Sequence, residues 1–198
     1  MTIIGKEEVE KIKSIEGKVR GASLKADGGY ILKEFGEDGL KKLEKAMSDL
    51  GYNIKYEELA TMDYYPIAIK ALTLLSVQKL FNFKKKDFIK MGMFGSKVSL
   101  ILKLFVKYFF SFDRVMKEIP KVWRKYYNVG DLKVIEYDKK KGYVVGRLEN
   151  FDLHPLECQY LTGYFPSVMK MIVKEKITCQ ETKCIHKGDE YHEFLLKW

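Results

Sequence analysis

Apolar positions along the first 130 residues recur with a helical period. Val9, Ile12 and Ile15, spaced by three, predict a short amphipathic helix from Lys6 to Ile15 that Gly17 and Gly21 end. Gly28-Gly29 precede a short helix through Tyr30, Ile31 and Phe35. Leu40, Leu43, Met47 and Leu50 make one stripe of a helix stopped at Gly51. Pro66 opens a strongly apolar helix that reaches Phe81, since proline is tolerated in a first turn. A short helix from Asp87 to Phe94 ends at Gly95, and another runs from Lys97 to Phe110. Asp113 is the expected N-cap of a helix to Tyr127 that bends or restarts at Pro120.

After Gly130-Asp131 the period becomes two. Leu132–Tyr137 and Tyr143–Glu149 read as a hairpin turning through Asp138–Gly142. His154-Pro155 introduces a helix to about Val173. Lys176–Thr182 and Tyr191–Trp198 form a second strand pair, turning through Lys187-Gly188-Asp189. The expected class is α+β: a helical part, 1–129, packed on an antiparallel sheet part, 130–198, of β-β-α-β-β order. With no repeat and no linker, residues 1–198 are expected to share one core as one domain.

Composition narrows the class. The 198 residues are 46% hydrophobic and 14% aromatic with four prolines, which excludes collagen-like and disordered chains. The net charge is +9, but the basic residues are lysines apart from Arg20, Arg114, Arg124 and Arg147. Base and phosphate recognition favours the flat arginine fork, so no specific nucleic-acid partner is expected. The lysines read chiefly as solvated charge, and secondarily as weak attraction to anionic surfaces. Met1–Ile4 is too short for a secretory signal, and Lys103 and Lys107 interrupt the apolar run Val98–Phe110. No membrane insertion and a cytoplasmic location are therefore expected.

The candidate chemistry is concentrated. All three cysteines (Cys158, Cys179, Cys184) and all three histidines (His154, His186, His192) fall within the last 45 residues. Thiolate and imidazole are the side chains that hold zinc and its neighbours. Glu181 and Cys184 leave the first strand of the last hairpin, His192 begins the return strand, and Cys158 opens the helix crossing the sheet. These four can meet at one sheet end. Cys179, His154 and His186 remain substitutes for Glu181. No CxxC pair is present, so packed core thiols and, more remotely, a catalytic thiol stay open on spacing alone.

HPLECQYLTG (His154–Gly163) and ETKCIHKGDEYHEF (Glu181–Phe194) resemble the 4-vinyl reductase domain family. That family has a helix-opening Cys with Gly five residues on, here Cys158 and Gly163. A hairpin of the form Glu-x-x-Cys-x-x-x-Gly-Asp-x-x-Cys-x-Phe follows. Glu181, Cys184, Gly188, Asp189 and Phe194 match it, while His192 stands where the family has its last Cys. The resemblance is specific over 130–198. In the helical half, Gly36, Tyr65-Pro66, Gly92, Pro120 and Trp123 are similar to stand-alone members. It implies a fold shared distantly with haem nitric-oxide-binding domains and vesicle-tethering subunits. It also implies a metal set of Cys158, Glu181, Cys184 and His192, with zinc favoured and iron left open.

The resemblance implies that a haem-binding relative would ligate iron through a histidine of the helical half; no histidine precedes His154, so haem is not expected. The resemblance implies a non-enzymatic sensor of a hydrophobic or aromatic small molecule, with Tyr64, Tyr65, Leu72, Leu75, Phe105, Phe109, Trp123 and Tyr127 as pocket candidates. Such residues at helical spacing are more often plain core. Val9, Ile12 and Ile15 point to a homodimer, and a separate signalling partner would carry the output. The alternatives are a homodimeric assembly module and a component related to tetrapyrrole vinyl reduction. No dinucleotide fingerprint or acid–base pair supports the enzyme, and no catalytic residue is assigned.

Overall fold

In the computed structural model, which describes residues 4–99, 102–105 and 111–198, helices occupy the first two thirds of the chain and a sheet the last. The order is α1 (Lys6–Lys13), β1 (Lys18–Arg20), α2 (Gly21–Asp49), β2 (Tyr64–Pro66), α3 (Ala68–Phe81) and α4 (Lys85–Val98). Residues 102–105 are helical. Next come α5 (Phe112–Arg124), β3 (Asp131–Asp138), β4 (Tyr143–Glu149), α6 (Pro155–Val173), β5 (Thr178–Lys183) and β6 (His192–Lys197). The four long strands lie side by side as β3-β4-β6-β5, every neighbour antiparallel. The chain is thus an α+β protein with antiparallel sheets. α5 packs on β3, and α6 lies along α4 and against β5.

Glycines that read as helix ends are instead points of close approach inside helices. α2 runs through Gly28-Gly29, and a Cβ on Gly28 would lie 2.3 Å from Cβ of Tyr56. The one break in α2 is at Gly36, with φ 65°. Gly95 lies inside α4, and a Cβ there would meet the Tyr160 hydroxyl at 2.1 Å. The tightest approach is between α4 and α6. A Cβ on Gly163 would sit 1.9 Å from the carbonyl oxygen of Ile89, and one on Gly92 would sit 2.0 Å from that of Tyr160.

Other differences have simple causes. β1 and β2 pair over three residues each, too short to leave a period in the sequence. Ser111, not Asp113, caps α5 by accepting from the Arg114 amide at 3.3 Å, and Pro120 stays within the helix. The expected Lys97–Phe110 helix does not start at Lys97: Lys97 and Val98 end α4, Ser99 follows outside it, 102–105 are helical, and residues 100–101 and 106–110 lie outside the described residues. Val9 and Ile12 are buried and Ile15 packs on the same core, so the α1 stripe is consumed within the chain and offers no dimer face. Among the described residues no helix is long and apolar enough to cross a membrane.

Candidate metal centre and apolar cavity

Local structure converges four side chains at one end of the sheet. His154 accepts the Leu156 amide at 3.2 Å as N-cap of α6, and Pro155 follows in the first turn. This start puts Cys158 on the first inward-facing turn. Beyond β5, the Cys184 amide donates to the Asp189 carboxylate at 2.8 Å and the Cys184 carbonyl accepts from Lys187 N–H at 2.9 Å. Gly188, at φ 97°, permits that tight loop. The loop returns the chain so that His192 opens β6 opposite Leu148 of β4.

One ligand atom each of Cys158, Glu181, Cys184 and His192 lies within 4.8 Å of the other three. Cys158 Sγ is 3.8 Å from Cys184 Sγ and 3.6 Å from His192 Nδ1, which is 3.4 Å from Glu181 Oε1. A tetrahedral ion with bonds of about 2.3 Å to sulfur and about 2.1 Å to nitrogen or oxygen has edges of about 3.8, 3.6 and 3.4 Å. Three of the six edges match that polyhedron, and the other three lie within 4.8 Å.

The hydrogen bonds around the cluster leave lone pairs pointing inward. His192 Nε2–H donates to the Phe151 carbonyl at 3.0 Å, which fixes the ring with Nδ1 facing the sulfurs and Glu181. Glu181 Oε2 is held by Lys187 at 3.1 Å, whereas Oε1 is buried with no hydrogen-bond partner. His192 Nδ1 and Glu181 Oε1, buried and 3.4 Å apart, need a proton or a metal ion between them. Burial pushes the Cys158 thiol far up, with Glu181 and Cys184 adding to it, and burial raises the Cys184 thiol too. A metal would have to displace those protons, so binding would release protons and strengthen as pH rises.

The other soft residues lie apart. Cys179 packs its half-buried thiol on the core, and burial pushes it up to about 12. His154 is occupied as a helix cap. His186 lies 3.7 Å from Asp152, its ring against that of His192.

An apolar cavity of about 90 Å³ lies between the helical half and the sheet. Its wall takes Ala26 from α2, Leu102 and Phe105, Trp123 and Tyr127, Val144 from β4, Leu161, Phe165 and Val168 from α6, and Leu196 from β6. Trp123 stacks on Tyr127 at 4.4 Å. Of the expected pocket residues, Phe105, Trp123 and Tyr127 are in the wall, and Phe109 lies outside the described residues. Tyr64, Tyr65, Leu72 and Leu75 are not. Tyr64 lies under the Arg20 guanidinium, the Tyr65 hydroxyl accepts from the Ala60 amide, and both leucines are buried elsewhere in the core. Periodicity marks which helix face turns inward, but not whether it meets a void or a packed neighbour.

A second polar site was not foreseen. Lys70 of α3 is fully buried and binds both oxygens of buried Asp27 at 2.8 and 2.9 Å. Glu157 Oε2 lies 3.9 Å away, and Tyr127 donates to Glu157 Oε1 at 3.2 Å. The Lys70 ammonium also sits 3.7 Å above the Tyr160 ring. Burial opposes the Lys70 charge, but Asp27 and Glu157 outweigh it and hold its pKa above the ordinary value. The signal was a lone lysine within AIKALTLLSV, an otherwise uncharged run.

No protein-family model matches the chain, and no curated protein matches it either. Solved structures do. An H-NOX protein from S. oneidensis in the Fe(II)NO ligation state superposes with a TM-score of 0.67 at 13% identity, covering 90% of this chain and 98% of that one. A structure titled for modulating heme redox potential through protein-induced porphyrin distortion gives 0.61 at 11%, covering 90% and 99%. A third, on the molecular mechanism of H-NOX activation, gives 0.61 at 11%, covering 90% and 95%. This chain has the H-NOX fold. The sequence had put zinc forward and set haem aside, and the fold corrects this. Titles among these structures name heme or an Fe(II)NO ligation state, so neither zinc as the cofactor nor the dismissal of haem stands.

Proposed function

We propose that this chain is a ligand-binding sensor domain whose cavity takes a small apolar molecule and whose sheet end holds a transition-metal ion. The observation that carries the reading is the apolar void enclosed by helices and sheet in an H-NOX fold. A cavity of about 150 Å³ lined by aliphatic and aromatic side chains admits benzene. Here a small aromatic ring would enter with adjustment of Phe105 and Phe165. The ion would be held by Cys158, Glu181, Cys184 and His192, and would fasten α6 to the β5–β6 hairpin. The resemblance to 4-vinyl reductase domains supports that set.

Helix α6 joins the two sites, carrying Cys158 at its start and Leu161, Phe165 and Val168 in the cavity wall. An occupant that favours one seating of α6 would therefore shift the helix that the metal anchors. Haem chemistry enters by fold likeness. Among the described residues the cavity wall, however, supplies no imidazole or thiolate, and the Tyr127 hydroxyl is engaged by Glu157, so haem iron there would have to be held by another wall tyrosine or by Met169. Absorbance in the Soret region, after supplying haem, reads that arm directly.

The cavity is tested by solvent extraction and mass spectrometry of protein purified from cells. One apolar molecule per chain is expected, and Val168→Phe, which fills the void, should exclude it while leaving the thermal midpoint about unchanged. An empty wild-type protein that binds neither small aromatics nor haem overturns the reading. For the metal, elemental analysis is expected to find one ion per chain. It should be lost in Cys184→Ser and kept in Cys179→Ser and His186→Ala. Retention of the ion in Cys184→Ser would defeat the assignment. In a chelator competition the apparent affinity should weaken as pH falls from 8 to 6, about tenfold or more, because two thiols must be deprotonated.

A further inference from the structure

Residues 84–105 hold six lysines, Lys84, Lys85, Lys86, Lys90, Lys97 and Lys103, against one acid, Asp87, so this stretch carries more than half of the chain's net +9. All six lysines are exposed. Among the described residues none forms an ion pair, whereas lysines elsewhere do, such as Lys41 with Glu37 and Lys45 with Asp49. On α4, Lys86, Lys90, Met93 and Lys97 recur at helical spacing, which places them on one stripe. Exposed Val98 and Leu104 lie just beyond it. The opposite face of α4, with Phe88, Met91 and Gly92, is buried against α6 and the core. The inner side of the same stretch is cavity wall, through Gly95, Ser99, Leu102 and Phe105.

The outer surface of the cavity is thus unpaired lysine with apolar tips among the charges. An anionic headgroup layer over hydrocarbon meets both features: the lysines neutralise the layer and the apolar tips enter its boundary. Lysine without arginine suits a diffuse negative surface rather than a bidentate site. We infer that the α4 face docks on an anionic lipid bilayer, and that the apolar ligand reaches the cavity from that bilayer. Delivery rests on the ligand reading above; docking does not.

The test is flotation of the protein with phosphatidylcholine vesicles, with and without phosphatidylserine. Binding is expected to the mixed vesicles alone and is expected to be released by high salt. Each lysine near such a surface is worth roughly fivefold in partitioning, so Lys86→Gln/Lys90→Gln/Lys97→Gln should weaken binding roughly 100-fold. A matched triple on α2, Lys41→Gln/Lys42→Gln/Lys45→Gln, removes the same charge elsewhere and should bind nearly as wild type. No binding to the mixed vesicles, or equal loss in both triples, overturns the inference. So does a change of oligomeric state in the α4 triple without lipid, which would make this face a protein interface. Vesicle binding by a protein that carries no apolar ligand would retain docking and remove the ligand reading.

Discussion

Lys70→Met is expected to lower the unfolding free energy by about 3–5 kcal/mol, the largest loss among single side-chain truncations in this chain. The wild-type ammonium is fully buried between Asp27 and Glu157. Removing it strands two carboxyl groups in an apolar interior with no water to take their charge. Adding Asp27→Leu should recover most of the loss, because an apolar pair of similar volume needs no desolvation. Urea unfolding of both variants checks this. A loss below about 1 kcal/mol in Lys70→Met would mean that the group is not ionised in the fold.

The same network sets a pH dependence. Burial pushes the Glu157 carboxyl up to about 7, against the pull of Lys70. The folded chain then keeps a proton that the unfolded chain has released above its ordinary carboxylate range. Glu157 therefore contributes stability that is present below that ordinary range and is lost as pH rises through about 7. Measured against Glu157→Gln, wild-type stability should fall between pH 5 and pH 7.5. An unchanged difference between the two proteins would count against the raised value.

Gly163→Ala should cost about 3 kcal/mol or more, an unusually large effect for one methyl group. The new Cβ would sit 1.9 Å from the Ile89 carbonyl oxygen, and backbone on both helices must move to admit it. α6 would then shift away from α4, carrying Cys158 at one end and the cavity wall at the other. Thermal melting should show the stability loss, and elemental analysis a lower metal content than wild type. Gly36→Ala tests a different constraint. Nothing lies within 4 Å of its Cβ position, and the strain there comes only from the backbone, at φ 65° and ψ −172°. Its cost should be about 1–3 kcal/mol, below that of Gly163→Ala, and it should leave the metal content unchanged. Equal effects at the two glycines would refute the crossing argument.

Much of the architecture was legible in the residues. The period-of-three stripes of α1 and the second half of α2, the proline before α3 and the alternation of β3 and β4 each reflect one-sided burial, a local pattern. Two glycines were misread because a glycine that bounds a helix and a glycine that lets another segment approach a helix closely are the same letter. Gly28 and Gly95 were distinguishable only by what lies opposite, Tyr56 and Tyr160. The cavity was legible in part. Phe105, Trp123 and Tyr127 line it, but Leu72 and Leu75 look alike in sequence and pack solidly.

The sequence by itself determined the chemistry on offer: soft ligands confined to the last 45 residues, a lysine-rich charge, and helices followed by strands. Residue types and periods are local properties and survive in a string of letters. Only the tertiary structure decided which groups meet. Cys158 reaches Cys184 and His192 across 26 and 34 residues, Asp27 reaches Lys70 across 43, and Cys179 stays outside the cluster although it lies two residues from Glu181. Such distances depend on how helices cross and strands register, which no single segment encodes.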